Sequence, residues 1–311
     1  MSTIIQRLGM LHGSELFCKR EDLLPYSFGG NKARKAALFF QQIDTGDYNC
    51  VVSYGSGSSN HCRVVSNLCA ARGMECILVS PLEAFAQTNN LRLTELFGAR
   101  RITVPVQQVH DTIETTLQSL RDAGKRPYFI PGGGHGNLGT QAYVDCFREI
   151  LQWEREQGCS FDEIYFASGT GTTQAGLICG KLMSGSGVSI RGVSIARQNP
   201  RGREVVLQSV RDYLASEHIS AGESAIQNAT VFLDNYTGAG YGSSSRAILE
   251  TMRTAMIRWG LPLDVTYTAK AFYGMEQELL SRRDAGTRVL FLHTGGHPLF
   301  FDDLQKIGQR L

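Results

Sequence analysis

One lysine stands where a covalent or acid–base role is expected. Lys32 follows Gly29 and Gly30 in YSFGGNKARKAA (26–37), at the start of a helical pattern. A solvated surface lysine needs no glycine pair in front of it. A lysine that reaches a bound ligand gains from one, because glycine has no Cβ to block the approach. We therefore expect the two glycines to bring Lys32 to a ligand.

Three segments rich in glycine and hydroxyl residues could bind that ligand. They are SYGSGSSNH (53–61), ASGTGTTQAG (167–176) and LHTGGHP (292–298). Hydroxyls and the free N–H groups of a helix start together form a site for an anion. The second segment is a candidate phosphate loop, with five consecutive candidates: Gly169, Thr170, Gly171, Thr172 and Thr173. Each segment alone also fits a tight turn with a helix cap.

The candidate phosphate loop matches neither common nucleotide motif. It lacks the Gly-Lys-Ser/Thr ending of the P-loop and the G-x-G-x-x-G spacing of dinucleotide sites. No phosphate-binding lysine or ribose-binding acid stands at a suitable spacing. A nucleotide-binding protein is therefore a weak alternative.

Strands and helices alternate along the chain, and their order places the three segments. Predicted strands include CVVSY (50–54), EIYFAS (163–168) and RVLFLHT (288–294), and predicted helices include 60–73, 174–183 and 273–285. This alternation predicts an α/β fold of parallel sheets flanked by helices. Ligands of such sheets lie beyond the carboxyl ends of the strands, where all three segments occur.

Composition excludes several other classes. The 311 residues carry a net charge of +2, which gives no basic footprint for nucleic acid or an anionic membrane. No apolar run is long enough to span a bilayer, and the N-terminus is a poor signal peptide. The eight cysteines show no C-x-x-C pair, which favours buried thiols in a cytoplasmic protein over disulfides or a metal site. We expect no metal.

Lys32 and the anion segments together predict a cofactor. Pyridoxal 5′-phosphate needs an amine for its aldehyde carbon, a socket for its phosphate and a partner for its ring nitrogen. A candidate phosphate loop at 167–176, a second anion segment and Lys32 behind its glycines match these needs.

Seven segments occur in the order of one known family. They are CKREDLLPYSFGGNKARK (18–35), SGSSNHCRVVSNLCAARGM (56–74), RPYFIPGGGHGNLGTQAYVD (126–145), ASGTGTTQAGL (167–177), DNYTGAGYG (234–242), DVTYTAKAFYGM (264–275) and FLHTGGHPLFF (291–301). The chain thereby resembles the D-cysteine desulfhydrase and 1-aminocyclopropane-1-carboxylate (ACC) deaminase family of fold-type II, tryptophan synthase beta-like enzymes. The resemblance implies a homodimer whose active site lies in a cleft between two domains. These would be a large cofactor-binding domain (1–44 and 137–311) and a small α/β domain inserted in it (45–136), with the GGGHG segment (132–136) as the crossing.

The resemblance also implies roles around the cofactor. Lys32 corresponds to the Schiff-base lysine, which moves the Cα proton as well. Asn60 corresponds to the partner of the cofactor's 3′-oxygen, Gly169–Thr173 to the phosphate loop, and Thr294 to the residue at the ring nitrogen. A neutral hydroxyl at that nitrogen favours elimination over transamination.

Substrate roles follow from the same resemblance. Ser58, Ser59 and His61 lie where a substrate carboxylate is held, and Tyr241 and Tyr267 match active-site tyrosines. With Lys32, the catalytic set is therefore Ser59, Tyr241 and Tyr267. Thr268 is assigned to substrate binding because ACC deaminases carry Glu there. His135 is compatible with a functional or a structural role.

The implied activity is a lyase that eliminates a β substituent from a small amino acid. Thr268 and Thr294 favour the desulfhydrase branch, in which D-cysteine gives pyruvate, ammonia and sulfide. ACC ring opening, sulfo-lyase activity and β-replacement are alternatives with the same cofactor. A catalytically silent protein of this fold is an alternative of another class. Ser58 in place of the usual Gln, together with Ser243 and Ser244, departs from the family pattern near the substrate.

Overall fold

The computed structural model describes residues 2–282 and 286–308. Its strands are β1 (Ile5–Leu11), β2 (Ser14–Lys19), β3 (Cys50–Tyr54), β4 (Glu75–Pro81), β5 (Arg100–Val104), β6 (Pro127–Ile130), β7 (Glu163–Ser168), β8 (Ser189–Ser194), β9 (Val231–Leu233) and β10 (Arg288–Leu292). Its α-helices are α1 (Asn31–Thr45), α2 (Asn60–Ala70), α3 (Asn89–Leu96), α4 (Val109–Asp122), α5 (Asn137–Gln157), α6 (Thr172–Ser184), α7 (Arg201–Ser216), α8 (Glu223–Ala229), α9 (Arg246–Trp259), α10 (Thr268–Leu280) and α11 (His297–Gly308).

A six-stranded sheet forms the larger half of the core, in the order β1-β2-β10-β7-β8-β9. Its strands run parallel except for the β1–β2 hairpin, which is antiparallel. Phe166 of β7 faces a core built with α5 and α6, whereas its neighbour Tyr165 faces a second core built with α9 and α10. This alternation buries both faces of the sheet, as helix-covered parallel sheets require.

A four-stranded parallel sheet, β5-β4-β3-β6, forms the smaller half. Val51 of β3 packs towards α1 and α2, whereas Val52 packs towards α4. All four strands fall within residues 45–136. Helix α1 lies before that range in sequence, except for its last residue, yet its apolar side packs on this sheet through Phe40 and Ile43. The division of the chain into two domains stays a prediction.

The α/β fold class is confirmed, and so are the boundaries of several elements. Strands β3 and β7 coincide with the predicted segments, and α2 begins at the expected Asn60. The β1–β2 hairpin was not predicted, because polar residues interrupt the apolar residues of both strands, and β1 is a partly exposed edge strand. The helix predicted near 273–285 begins earlier, at Thr268, and ends at Leu280; residues 283–285 lie outside the described part.

Two further expectations concern the chain as a whole. Among the described helices, none combines the length and the apolar composition that crossing a bilayer requires. The cysteines are free thiols, and all except the half-buried Cys159 are buried, as the sequence predicted.

Candidate active site

A cavity of about 570 Å³ lies at the carboxyl ends of β3, β7 and β10. Nine predicted site residues line it: Lys32, Ser59, Asn60, His61, Gly169, Thr170, Tyr241, Tyr267 and Thr294. Five others do not: Ser58, Gly171, Thr172, Thr173 and Thr268. Within the described residues, the wall holds no Asp or Glu, whereas it includes Lys32 and Arg197. The cavity is therefore suited to anionic ligands.

Lys32 projects from the first turn of α1 into this cavity. Its Nζ donates to the carbonyl oxygen of Gly133 at 3.0 Å, in the crossing segment after β6. Burial lowers the pKa of Lys32 to about 8, and none of the described carboxylates forms an ion pair with it. Close to neutral pH a useful fraction of this amine is therefore unprotonated and able to act as a nucleophile or base.

The two glycines before Lys32 have a different role from the one we predicted. Gly30 has φ of +92°, and a Cβ there would lie 2.6 Å from the carbonyl oxygen of Thr294. A Cβ on Gly29 would overlap the backbone of Asp22. The glycines therefore let the backbone before α1 pack against the Thr294 and Asp22 segments. Lys32 is positioned by that packing, rather than by an open path to the ligand.

The predicted phosphate loop joins β7 to α6, and its backbone N–H groups are available to a ligand. In the described part of the chain, the backbone N–H groups from Gly169 to Thr173 have no acceptor. The hydroxyl of Thr173 accepts from Asn31 Nδ2 at 3.1 Å, and that of Thr172 accepts from Lys35 Nζ at 2.6 Å. The two threonine side chains therefore bind α1, while the N–H groups at the N-terminus of α6 remain for an anion.

Two basic residues beside this loop were not assigned from the sequence. Lys35 is 1% exposed, and burial together with the charge of Lys32 holds its pKa well below the ordinary value. Arg197 lines the cavity and donates through Nη1 to the carbonyl oxygen of Gly169 at 2.6 Å. The one sequence signal for Lys35 is its position one helical turn after Lys32, on the same face of α1.

Asn60 is oriented by a neighbour that the sequence did not reveal. Its Oδ1 accepts from Nδ2 of the fully buried Asn90, at 2.9 Å. The Nδ2 group of Asn60 is then free to donate into the cavity, as a partner of a phenolic oxygen must. Beside it, the Ser59 side chain caps α2 by accepting from the N–H of Cys62 at 3.2 Å, and its hydroxyl proton is free for a ligand.

His61 cannot hold a carboxylate through a charged ring. The Ser53 hydroxyl donates to the Ile130 carbonyl at 2.8 Å, so it accepts from His61 Nε2 at 2.9 Å. Nε2 therefore carries a proton, and the buried Nδ1 has no hydrogen-bond partner among the described residues. Burial and the nearby Lys32 lower the pKa of His61 to about 3. A substrate carboxylate would have to use the Ser59 hydroxyl and the N–H groups at the start of α2.

The two predicted tyrosines form a pair at the cavity. Their hydroxyls lie 2.5 Å apart, and Ser58 Oγ lies 3.3 Å from the Tyr241 hydroxyl. Burial and the adjacent Tyr241 hold the pKa of Tyr267 well above its ordinary value, so the phenol stays protonated. Ser58 therefore contacts Tyr241 from outside the cavity wall.

Thr268 does not lie at the cavity. It is fully buried, and its hydroxyl donates to Asp264 Oδ1 at 2.8 Å, while Asp264 Oδ2 accepts from the N–H of Tyr267 at 2.9 Å. Asp264 thereby fixes the start of α10 and holds Tyr267 in place. This position is structural in the present chain, so the structure does not support direct substrate binding by Thr268.

Thr294 lines the cavity just after β10, above a buried polar cluster. Asp22, His293 and His297 bring donor atoms within 4.8 Å of one another, a set that can bind a metal ion. Asp22 is already paired with Arg20 Nη2 at 2.7 Å, and His293 Nδ1 accepts the Gly295 N–H at 3.2 Å. The Nδ1 lone pair of His293 is thereby occupied and Asp22 is partly neutralised by Arg20, whereas His297 Nε2 has no hydrogen-bond partner among the described residues. His297 belongs to this cluster.

His135 lies in the cavity wall beside the phosphate loop. Burial, followed by the charge of Lys35, lowers its pKa. A neutral ring at this position can donate or accept one hydrogen bond toward a ligand. The structure therefore places His135 with the functional residues.

The cavity fits pyridoxal phosphate. The free N–H groups of the 169–173 loop suit the phosphate, the Lys32 amine suits the aldehyde carbon, and Thr294 offers a neutral hydroxyl. The model of the pyridoxal-phosphate-dependent enzyme family matches residues 3–295. The chain belongs to this family. It is a pyridoxal-phosphate enzyme of the ACC deaminase and D-cysteine desulfhydrase type, with the fold-type II architecture.

Relatives of known name support this membership. The chain is 30% identical over 296 residues to 1-aminocyclopropane-1-carboxylate deaminase of Ralstonia nicotianae, covering 91% of this chain and 87% of the relative. It is 32% identical over 297 residues to the enzyme of that name from Burkholderia multivorans, with the same coverage. A solved ACC deaminase homologue superposes with a TM-score of 0.89 at 26% identity, covering 100% of this chain and 94% of the homologue.

Proposed function

We propose that this enzyme is a lyase that removes the β substituent of a small amino acid, with D-cysteine as the preferred substrate. The net reaction takes D-cysteine and water to pyruvate, ammonia and hydrogen sulfide. The observation that carries the proposal is the hydrogen-bonded Tyr241–Tyr267 pair, which shares a carboxylate-free cavity with Lys32. The pair supplies a neutral acid, and Lys32 supplies a base.

Each step is assigned to residues of this chain. The Ser59 hydroxyl and the first N–H groups of α2 bind the substrate carboxylate and orient Cα towards Lys32. Lys32 takes the Cα proton, because burial keeps part of its amine neutral. Pyridoxal phosphate, when bound, supplies the electron sink that stabilises the negative charge at Cα. The tyrosine pair donates a proton to the departing sulfur.

Binding of the cofactor is assigned to a second set of residues. The N–H groups of Gly169–Thr173 would hold the phosphate, with Arg197 nearby to offset its charge and Lys35 fixing the Thr172 side chain. Asn60 would donate to the 3′-oxygen, and the Thr294 hydroxyl would be the partner of the ring nitrogen. A neutral hydroxyl there would favour elimination over transamination.

ACC ring opening is the second candidate, because the two curated relatives described above carry that name. Ring opening has no leaving group, and it would yield 2-oxobutanoate and ammonia. The resemblance associates it with a Glu where this chain has Thr268, whose hydroxyl is committed to Asp264. D-Cysteine is therefore preferred. A homodimer in the cytoplasm stays part of the proposal.

Product analysis tests the proposal. The purified enzyme is incubated with pyridoxal phosphate and, separately, with D-cysteine, L-cysteine, D-serine derivatives, L-cysteate or ACC. We expect pyruvate and sulfide in equal amounts from D-cysteine, and a strong loss of this turnover in Tyr267→Phe. Tyr273→Phe is the matched control, because Tyr273 lies on α10 but outside the cavity. Formation of 2-oxobutanoate from ACC with no product from D-cysteine would replace the first candidate with the second.

A catalytically silent protein would bind the cofactor and release no product from any of these compounds. A β-replacement enzyme would produce pyruvate from none of them, and would consume D-cysteine only when a second nucleophile is added.

A further inference from the structure

Lys270 is a buried ammonium without a carboxylate partner. It is 0% exposed in the first turn of α10, and it forms no ion pair with any described residue. A cation near a helix N-terminus is disfavoured by the helix dipole, and burial of its charge adds a further cost. Burial lowers the pKa of Lys270 to about 8, although the charge of Asp264 opposes this. Such a placement needs compensating contacts.

The compensating contacts are backbone carbonyls. Nζ donates to Gly240 at 2.5 Å, to Thr237 at 3.0 Å and to Ile195 at 3.2 Å, and Ser243 Oγ lies 3.4 Å away. Ile195 follows β8 and lines the cavity. The other oxygens belong to residues 237–243, here named the Tyr241 loop. A cage of carbonyl oxygens is the environment in which proteins hold a monovalent cation.

The Tyr241 loop has few other attachments. It contains three glycines with positive φ, Gly238, Gly240 and Gly242, so its backbone is weakly restrained. Apart from the bond of Thr237 to Asp234, the described hydrogen bonds that leave the loop run to Lys270, and from the Tyr241 hydroxyl to Tyr267 and Ser58. Lys270 therefore binds the loop backbone, while Tyr267 contacts the hydroxyl of Tyr241.

We propose that Lys270 is a positioning residue, whose ammonium acts as a built-in monovalent cation that fixes the Tyr241 loop over the cavity. Tyr267 is the N-cap of α10 and Lys270 lies in its first turn, three residues later, so the start of α10 sets the position of both tyrosines. This inference rests on the proposed function, in which Tyr241 acts on the substrate side.

The test compares Lys270→Met, Tyr241→Phe and the double variant, with Lys181→Met as the control for loss of a half-buried lysine. We expect Lys270→Met to lower kcat/KM at least ~10-fold, as misplacement of a reacting group does. The double variant should lose little more than Tyr241→Phe alone, because Lys270 acts through Tyr241. Chymotrypsin should cut after Tyr241 faster in Lys270→Met than in wild type. Wild-type kcat/KM in Lys270→Met, or losses that multiply in the double variant, would overturn the proposal.

Cation rescue gives a second readout. Lys270→Ala leaves three carbonyls around an empty position, so methylammonium or K⁺ should restore part of its kcat/KM, while the wild type should not respond. Absence of rescue in a folded Lys270→Ala, or failure of both variants to fold, would assign Lys270 to the core and overturn the proposal. The visible absorbance and turnover of the wild type test the proposed function separately, because neither measurement involves a Lys270 variant.

Discussion

Lys35 Nζ donates to the Thr172 hydroxyl at 2.6 Å, across 137 positions of sequence. This bond joins the N-terminal part of α1, which carries Lys32, to the first turn of α6, which ends the phosphate loop. Asn31 and Thr173 make a parallel link between the same two helix ends. The group that reacts with the cofactor and the group that holds its phosphate are thereby fixed relative to each other.

Replacing Lys35 should weaken cofactor binding. In Lys35→Met we expect the affinity of the apoprotein for pyridoxal phosphate to fall roughly 2- to 10-fold, because the Lys35–Thr172 hydrogen bond that fixes the phosphate loop is lost and such a bond contributes about 0.5–1.5 kcal/mol. The measurement is a titration followed by visible absorbance. Lys181→Met should bind like the wild type. Equal affinity in Lys35→Met would remove Lys35 from the phosphate site.

His61 should make the protein sensitive to mild acid. Its pKa is about 3 in the folded chain and 6.5 in the unfolded chain, so the unfolded state binds a proton first as pH falls. The stabilisation is complete above pH 6.5 and is lost as the pH falls from there towards 3. The loss amounts to about 2 kcal/mol at pH 5. His61→Gln has no ionisable ring at this position, so its stability does not include this loss.

The check is urea unfolding of both proteins at pH 7 and pH 5. The difference in free energy of unfolding between wild type and His61→Gln should shift by about 2 kcal/mol in favour of the variant at pH 5. The exposed His110→Gln should show no such shift. A constant difference would mean that His61 is not a buried neutral ring.

A buried ion pair next to the Lys32 segment should contribute strongly to the stability of the fold. Glu21 is fully buried and accepts from Arg34 Nε at 2.5 Å and Nη2 at 2.8 Å, directly before the Lys32 segment. We expect Glu21→Ala to lower the free energy of unfolding by about 3–5 kcal/mol, because it leaves buried positive charge less compensated. Denaturant unfolding measures this loss.

The matched control is Asp44→Ala, which breaks the exposed pair of Asp44 with Arg72. Surface pairs of this kind contribute about 0–1 kcal/mol. Similar losses of unfolding free energy in Glu21→Ala and Asp44→Ala would show that the buried pair contributes no more to stability than the surface pair.

The sequence predicted those features of the fold and the site that depend on local residue patterns. Apolar β-branched runs located β3 and β7, and small residues after them located the anion loops. The partners of those loops come from distant segments, so no local signal showed that Lys35 faces Thr172 or that Asn90 orients Asn60. The protonated nitrogen of His61 depends on which acceptor the Ser53 hydroxyl uses, and its lowered pKa depends on burial and on Lys32, which are also consequences of tertiary structure.

The glycines and Thr268 show the same limit. The sequence correctly marks positions with unusual requirements, but it does not show what each one faces. Both positions were expected to face a ligand. Instead, Gly30 packs against Thr294, and the Thr268 hydroxyl donates to Asp264.

The absorbance spectrum of wild type and Lys32→Ala, recorded with pyridoxal phosphate before and after D-cysteine is added, tests the central claim most directly. After unbound pyridoxal phosphate is removed, we predict a wild-type band between ~300 and ~500 nm that differs from the spectrum of the free cofactor because of the covalent link to Lys32. Lys32→Ala should show no band of this kind beyond the free-cofactor spectrum, and the wild-type band should shift with D-cysteine as pyruvate and sulfide form. A wild type without this band, or a Lys32→Ala variant that keeps the band and the turnover, would contradict the assignment.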